Sequence, residues 1–169
     1  NAGKSSLFNA LTNANVLVKD MLFATLDPIT RSVELLGPGG KSIILSDTVG
    51  FISNLPTQLI AAFKATLEEV INADLIIHVQ DVSHEYSKAQ EIDVLKTLKE
   101  LDWRDRTQPK IINVFNKIDQ LSSEELALIK LRCSNSKNQV LVSAKSGAGV
   151  EYLKNQIKLN LMPKQSIEV

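Results

Sequence analysis

The sequence predicts an α/β fold, a three-layer sandwich around a mainly parallel sheet with one antiparallel edge strand. Three observations carry that expectation. Two short, almost wholly apolar runs, LIIHV at 75–79 and IINVF at 111–115, read as strands covered on both faces. Segments with apolar residues every three or four positions lie between and after them, which is the spacing of amphipathic helices. SVELL and SIILS flank GPGGK, giving two extended segments joined by a tight glycine-rich turn. Covered strands alternating with helices require helical layers on both sides of a sheet.

The elements follow in order. Leu7, Phe8 and Leu11 mark one side of a helix that begins beside Lys4. Val16 to Arg31 has no sustained periodicity and contains Thr25, Asp27 and Pro28, so it reads as a long loop. The hairpin comes next, its second segment placing Asp47 at a strand's carboxyl end. Pro56 to Ala73 repeats Leu59, Ile60, Phe63, Leu67 and Val70 at helical spacing. After LIIHV, the residues Ala89, Ile92, Leu95 and Leu98 give the next helix an expected buried stripe. IINVF ends at Asn116. Glu124 to Arg132 reads as helical, Gln139 to Val142 as extended and Val150 to Leu161 as helical again. The division expected is one nucleotide-binding domain over 1–161 and a tail or linker start over 162–169.

Composition narrows the class. With 169 residues, 44% apolar and 22% charged, the chain has the length and make-up of one globular domain. Lysine plus arginine and aspartate plus glutamate number nineteen each, so no global charge steers it toward nucleic acid or an anionic membrane. The single cysteine, Cys133, excludes an internal disulfide and fits a cytoplasmic setting. No apolar run reaches the roughly 18 residues that span a bilayer, so no membrane insertion is expected.

Asn1-Ala2-Gly3-Lys4-Ser5-Ser6 matches the end of the phosphate-loop pattern G-x-x-x-x-G-K-[ST]. Gly3 lets the backbone wrap closely enough for amides to donate to phosphate oxygens. Lys4 adds a point charge near the β and γ phosphates, and the Ser5 hydroxyl is a magnesium ligand. The free amides at the start of the following helix face the anion. The pattern sharpens the expectation to a P-loop NTPase sandwich, in which a central strand precedes the loop. That strand and the loop's first glycine are not in the sequence, so the domain is expected to be incomplete at its N-terminal side.

Asp47-Thr48-Val49-Gly50 ends an apolar strand some forty residues later. Asp47 is placed to hold Mg2+ through water while the Gly50 amide meets the γ phosphate. Asn116-Lys117-Ile118-Asp119 ends another strand. The Asp119 carboxylate offers acceptors to the two neighbouring donors of guanine, whereas adenine presents an acceptor at N1 and no 2-amino group. Such polar complementarity discriminates more strongly than a pocket differing by one methylene. Asn116 ties the base loop to the phosphate loop and the Lys117 stem covers the base face. Ser143-Ala144-Lys145, after the next extended segment, supplies a second wall, with the Ala144 amide directed at the guanine carbonyl. The ligand implied is GTP or GDP.

The ordered set Gly3-Lys4-Ser5, Asp47 to Gly50, Asn116 to Asp119 and Ser143 to Lys145 resembles the translation-factor-related class of small GTPases. Within it, LFATLDPITR at 22–31, DTVGFISNLPTQLIAAFKATLEEV at 47–70 and ADLIIHVQDVSH at 73–84 are similar to the HflX family. The resemblance implies a monomeric GTPase acting with the large ribosomal subunit and its rRNA, linked to splitting or rescue of stalled ribosomes. In that family a separate N-terminal domain and helical linker precede the GTPase domain. Thr25 matches the family's switch threonine, which senses magnesium and γ phosphate, with Thr30 as its competitor. The resemblance gives Lys4, Thr25 and Gly50 as the catalytic set and Ser5, Thr25 and Asp47 as the metal set. Phe51 stands where many relatives carry a water-orienting glutamine, so slow intrinsic turnover is expected, about 10⁻⁴ to 10⁻² s⁻¹. The alternatives are another ribosome-assembly or tRNA-modification GTPase, or a guanine-nucleotide-binding module with negligible hydrolysis. Asp27 and Arg31 read as solvated loop charges. His78 reads as a satisfied core histidine, Trp103 as helix-terminal packing, and neither His78 and His84 nor Cys133 has the spacing of a metal site or a thiol nucleophile.

Overall fold

Alternation and helical spacing sort the described residues into five strands, four bounded helices and a further helical stretch at 67–72. The computed structural model describes residues 1–12, 29–34, 42–48, 67–101, 103, 107–134, 136 and 138–161. In order these are α1 (Lys4–Thr12), β1 (Ile29–Glu34), β2 (Ser42–Asp47), β3 (Leu75–Asp81), α2 (Ser87–Glu100), β4 (Lys110–Asn116), a short 3₁₀ turn (Ile118–Gln120), α3 (Ser123–Cys133), β5 (Gln139–Leu141) and α4 (Val150–Leu161). Residues 67–72, before β3, are helical as well.

β1 and β2 pair antiparallel, with Ile29 opposite Asp47 and Glu34 opposite Ser42. β3, β4 and β5 form a parallel sheet in that order, Leu75 lying opposite Lys110 and Asp81 opposite Asn116. Among the described residues no ladder joins β2 to β3. The two-residue period of a strand assigns its side chains to layers. Ile112, Val114 and, in β3, Ile77 and Val79 face the layer of α1 and α4, where they pack with Leu7, Leu11, Val150, Leu153 and Ile157. Each large side chain removed from water there contributes about 1.5–3 kcal/mol. His78, Gln80, Asn113 and Phe115 face the opposite layer. There Arg132 of α3 lies 5.7 Å from the centre of the Phe115 ring.

α3 extends one residue beyond each expected end, Glu124 and Arg132, and is capped at its start. Ser122 accepts the Glu125 amide at 3.2 Å and Glu125 accepts the Ser122 amide at 2.8 Å, a reciprocal cap that satisfies two donors at the helix start. Two expectations are corrected. Ile29, Thr30 and Arg31, expected in the long loop, belong to β1, because pairing with β2 extends the hairpin beyond SVELL. The stripe expected on α2 is only partly inward. Leu98 is buried and Leu95 half-buried, but Ala89 is exposed and Ile92 is 66% exposed. The helix instead turns Glu91 and Val94 inward, and Glu91 meets Arg132 of α3 at 3.6 Å. An ion pair between the two helices takes the place of an apolar contact.

Trp103 is half-buried and Cys133 is a buried free thiol. Among the described residues no helix is long and apolar enough to cross a membrane. Thr25, Gly50, Phe51, Asp27, the GPGGK turn, residues 56–66 and the tail 162–169 lie outside the described residues.

Candidate functional site

The phosphate-loop residues sit at the start of α1 because Gly3 adopts φ +85°, a conformation that favours glycine, and the Leu7 amide closes the first helical bond on the Gly3 carbonyl at 2.9 Å. A Cβ built on Gly3 would run into the side-chain amide of Asn116. That close approach is used. Asn116 Nδ2 donates to the Ala2 carbonyl at 2.9 Å across 114 residues of sequence. Asn116 reaches it because it shares the inward parity of Ile112 and Val114, the side of the sheet that α1 covers. It is 2% exposed.

Ser5, one residue into α1, donates its hydroxyl proton to Asp47 Oδ2 at 2.6 Å. Asp47 closes β2 on the parity of Ile43 and Leu45, facing α1, and is 3% exposed. Burial pushes the Lys4 ammonium below the ordinary lysine range, and the Asp47 charge pulls part of the way back. A half-buried ammonium at a helix start, beside a hydroxyl and carboxylate in contact, is a constellation for an anion together with a hard cation. One or two protein oxygens, with the rest from water and phosphate, are the donor set magnesium takes, and the Ser5–Asp47 pair fits it. Among the described residues there is no cluster of three or more His, Cys, Asp or Glu suited to holding a metal by itself. Asn1 is exposed, and Ala2 and Ser6 are half-buried.

At the other end, Asn116 also accepts the Ala144 amide at 3.0 Å through Oδ1, so one side chain ties the phosphate loop to the 143–145 segment. Ser143, fully buried, donates its hydroxyl to Asp119 Oδ1 at 2.5 Å and accepts the Ser146 amide at 3.1 Å. The Ser143 contact orients a carboxylate that otherwise faces solvent. An oxygen of this type carries two lone pairs, so Oδ1 retains acceptor capacity beside Oδ2. The Ala144 amide, expected at the base carbonyl, is engaged by Asn116, and a base would have to share that bond. Lys145 is exposed. The turn returning to α4 needs Gly149, at φ +76°, where a Cβ would meet the Leu141 carbonyl.

All four sequence-marked loops are thus linked by side-chain bonds: Asp47 to Ser5, Ala2 to Asn116, Asn116 to Ala144, Ser143 to Asp119. Thr25 and Gly50, the remaining marked positions, lie outside the described residues. Thr30, the alternative to Thr25, is exposed in β1 opposite Ser46, and Arg31 beside it donates to the Thr30 carbonyl at 3.1 Å. His78 is a core histidine with partners: its Nδ1 lies 3.1 Å from Asn113 Oδ1 and 3.3 Å from Gln80 Nε2. One residue escaped the sequence reading. Lys117 Nζ pairs with Asp81 Oδ2 at 2.6 Å. The available signal was an acid ending the apolar run LIIHVQD, with a serine two residues on.

A glycine-lysine-serine loop opening a helix, a strand-end aspartate against that serine and an Asn-Lys-x-Asp loop beside it define a P-loop GTPase domain. A sequence family described as 50S ribosome-binding GTPase matches residues 1–117. The chain belongs to that family, and its domain is homologous to those of the HflX GTPases. GTPase HflX of Lacrimispora saccharolytica is 49% identical over 158 residues, which cover 94% of this chain and 35% of that protein. The chain therefore spans about a third of the length of the curated relatives it matches. Among solved structures, SsGBP in complex with GDP has a TM-score of 0.65 at 27% identity, covering 95% of this chain and 47% of that one. A variant of Aquifex aeolicus Era bound to GDP·AlF4⁻ has a TM-score of 0.72 at 24% identity, covering 100% of this chain and 56% of that one, a likeness of fold. Family membership implies binding of a magnesium–GTP complex.

Proposed function

We propose that this chain is the switch domain of a cytoplasmic, ribosome-associated factor, binding GTP and hydrolysing it to GDP and phosphate, with the large ribosomal subunit as the partner of the whole protein. The observation that carries the reading is the continuous set of bonds from Asp47 through Ser5 at one end, and from Ala2 through Asn116 to Ala144 at the other. These bonds, with that from Ser143 to Asp119, support reading the four loops as one site. In this reading Lys4 and the amides of residues 2–6 bind the β and γ phosphates, and Ser5 and Asp47 hold magnesium, which neutralises phosphate charge. Asp119 reads the guanine edge, with Ser143 orienting it, and Lys117, Ala144 and Lys145 wall the base.

The reaction is attack of a water oxygen on the γ phosphorus as the bond from that phosphorus to the β–γ bridging oxygen breaks, with the water proton passing to the phosphate product or solvent. Lys4 acts by charge: a buried ammonium stabilises anionic phosphoryl oxygens far more than an exposed one does. Thr25 and Gly50 are proposed as the switch threonine and γ-phosphate amide. Phe51, which cannot orient a water by hydrogen bonding, makes the reading one of slow turnover raised by a partner. The GDP complex of SsGBP supports the ligand class, and the family description supports the partner. The test is phosphate release from GTP by the full-length protein with increasing large ribosomal subunits. A rate that climbs to saturation is expected, and a rate flat across subunit concentrations contradicts the coupling.

A further inference from the structure

Lys117 has φ +66°, and among the described residues it is the one non-glycine in the left-handed region. A side chain there crowds its own backbone, so the conformation persists only where surrounding contacts hold it. Besides the bonds of the Ile118 amide to Val142 and of the Gln120 amide to Lys117, such contacts come from the end of β3. Lys117 Nζ pairs with Asp81 Oδ2 at 2.6 Å, the two side chains 27% and 12% exposed. Asp81 Oδ1 accepts the Ser83 amide at 3.0 Å and the Ser83 hydroxyl at 2.5 Å, and that hydroxyl lies 2.9 Å from Gln120 Oε1. The Val82 amide donates to the Asn116 carbonyl at 3.1 Å. Residues 81–83 therefore grip both ends of the 116–120 loop. Burial alone would raise the Asp81 carboxyl, but the Lys117 and Ser83 donors outweigh it and hold it below the ordinary carboxylate range, so it is charged at neutral pH. The ion pair draws the Lys117 ammonium to the end of β3, from a residue that lies in sequence between Asn116 and Asp119.

We infer that Asp81 is a positioning residue for base recognition. It pins Lys117, with Ser83 as its support, so that the Lys117 stem and the Asp119 carboxylate are held ready for a purine before one arrives. The inference rests on the guanine-binding reading of the 116–119 loop. Preorganisation of this kind acts on affinity by removing the ordering cost from the binding step.

The test is calorimetric titration of GDP and ADP, with magnesium, into full-length protein carrying Asp81→Asn, Asp81→Glu, Lys117→Met, or Asp81→Asn with Lys117→Met. Loss of a charge-assisted pair predicts GDP binding about tenfold weaker in Asp81→Asn, with the preference over ADP narrowed. Asp81→Glu recovers most of that loss. The double variant binds no worse than Lys117→Met alone, because Asp81 acts through Lys117. A GDP Kd for Asp81→Asn within twofold of the parent, or losses that multiply in the double variant, overturns the inference. Should Asp81→Asn unfold, Ser83→Ala decides: about threefold weaker GDP binding supports the clamp, and parental affinity overturns it. Equal GDP and ADP affinities in the parent protein would instead remove the guanine reading itself.

Discussion

At the phosphate end, Lys4 opens α1 near the buried Asp47, which accepts the Ser5 hydroxyl, and burial holds the lysine ammonium below its ordinary range. At the base end, Ser143 bonds Asp119, Asn116 bonds Ala2 and the Ala144 amide, and Lys117 pairs with Asp81. The first region carries charge whose burial costs free energy until an anion arrives, so binding there gains strength from the ligand. The second has already met its ordering cost in folding. Tight binding is thereby expected from one end and selectivity from the other.

The largest expected effect breaks the phosphate end. Lys4→Ala should weaken GTP binding on the order of 100-fold, as loss of a buried charge-assisted contact, in a titration with magnesium. The melting temperature of the nucleotide-free protein should change far less than GTP affinity, since relieved desolvation of Lys4 and lost attraction to Asp47 oppose one another. A large fall in melting temperature with unchanged GTP affinity would reverse the assignment of the two ends. Next in size, Asp119→Asn should erode an initial preference for GDP over ADP of about tenfold or more toward parity, with a much smaller change in phosphate affinity. Retained preference would move selectivity away from this carboxylate.

A smaller effect sharpens the contrast by lying outside both ends. Ser122→Ala removes half of the reciprocal cap on α3 and should cost about 1 kcal/mol in denaturant unfolding, with the GDP Kd unchanged. The smallest concerns His78, whose imidazole burial pushes below its ordinary value, the Asn113 bond and the Glu91 charge only partly opposing it. The unfolded chain then binds a proton more readily than the folded one, so stability should rise with pH through the window below 6.5 and level off above it. His78→Gln should flatten that rise in melts across this pH range. An unchanged slope assigns the titration elsewhere.

Most of this contrast was legible in the residues. Continuous apolar runs gave β3 and β4 to within two residues, and Val150–Leu161 has its expected bounds, because a continuous apolar run and a strong helical stripe each leave one consistent choice. Gly3, Ser5, Asp47, Asn116, Asp119 and Ser143 were all marked by type and order, since phosphate and guanine each demand particular donors at strand ends. β1 was placed too late because its first residues, Ile29 to Arg31, carry Thr and Arg and lack alternation, and only pairing with β2 makes them a strand. On α2 the spacing of Ala89 and Ile92 matched a stripe one step off the observed one, since an inward Glu91 is intelligible only once Arg132 stands opposite. Asp81 was missed for the same reason. An acid at a strand end has no assigned partner in sequence, and its lysine lies thirty-six positions away.

The central claim is that Lys4 and Asp119 address opposite ends of one nucleotide. Electron density from crystals of the protein grown with GDP and magnesium tests it most directly. The account predicts a single GDP with its β phosphate against Lys4 and Ser5 and its guanine edge on Asp119. A nucleotide that touches one of these ends while its other half lies away from the second would contradict it.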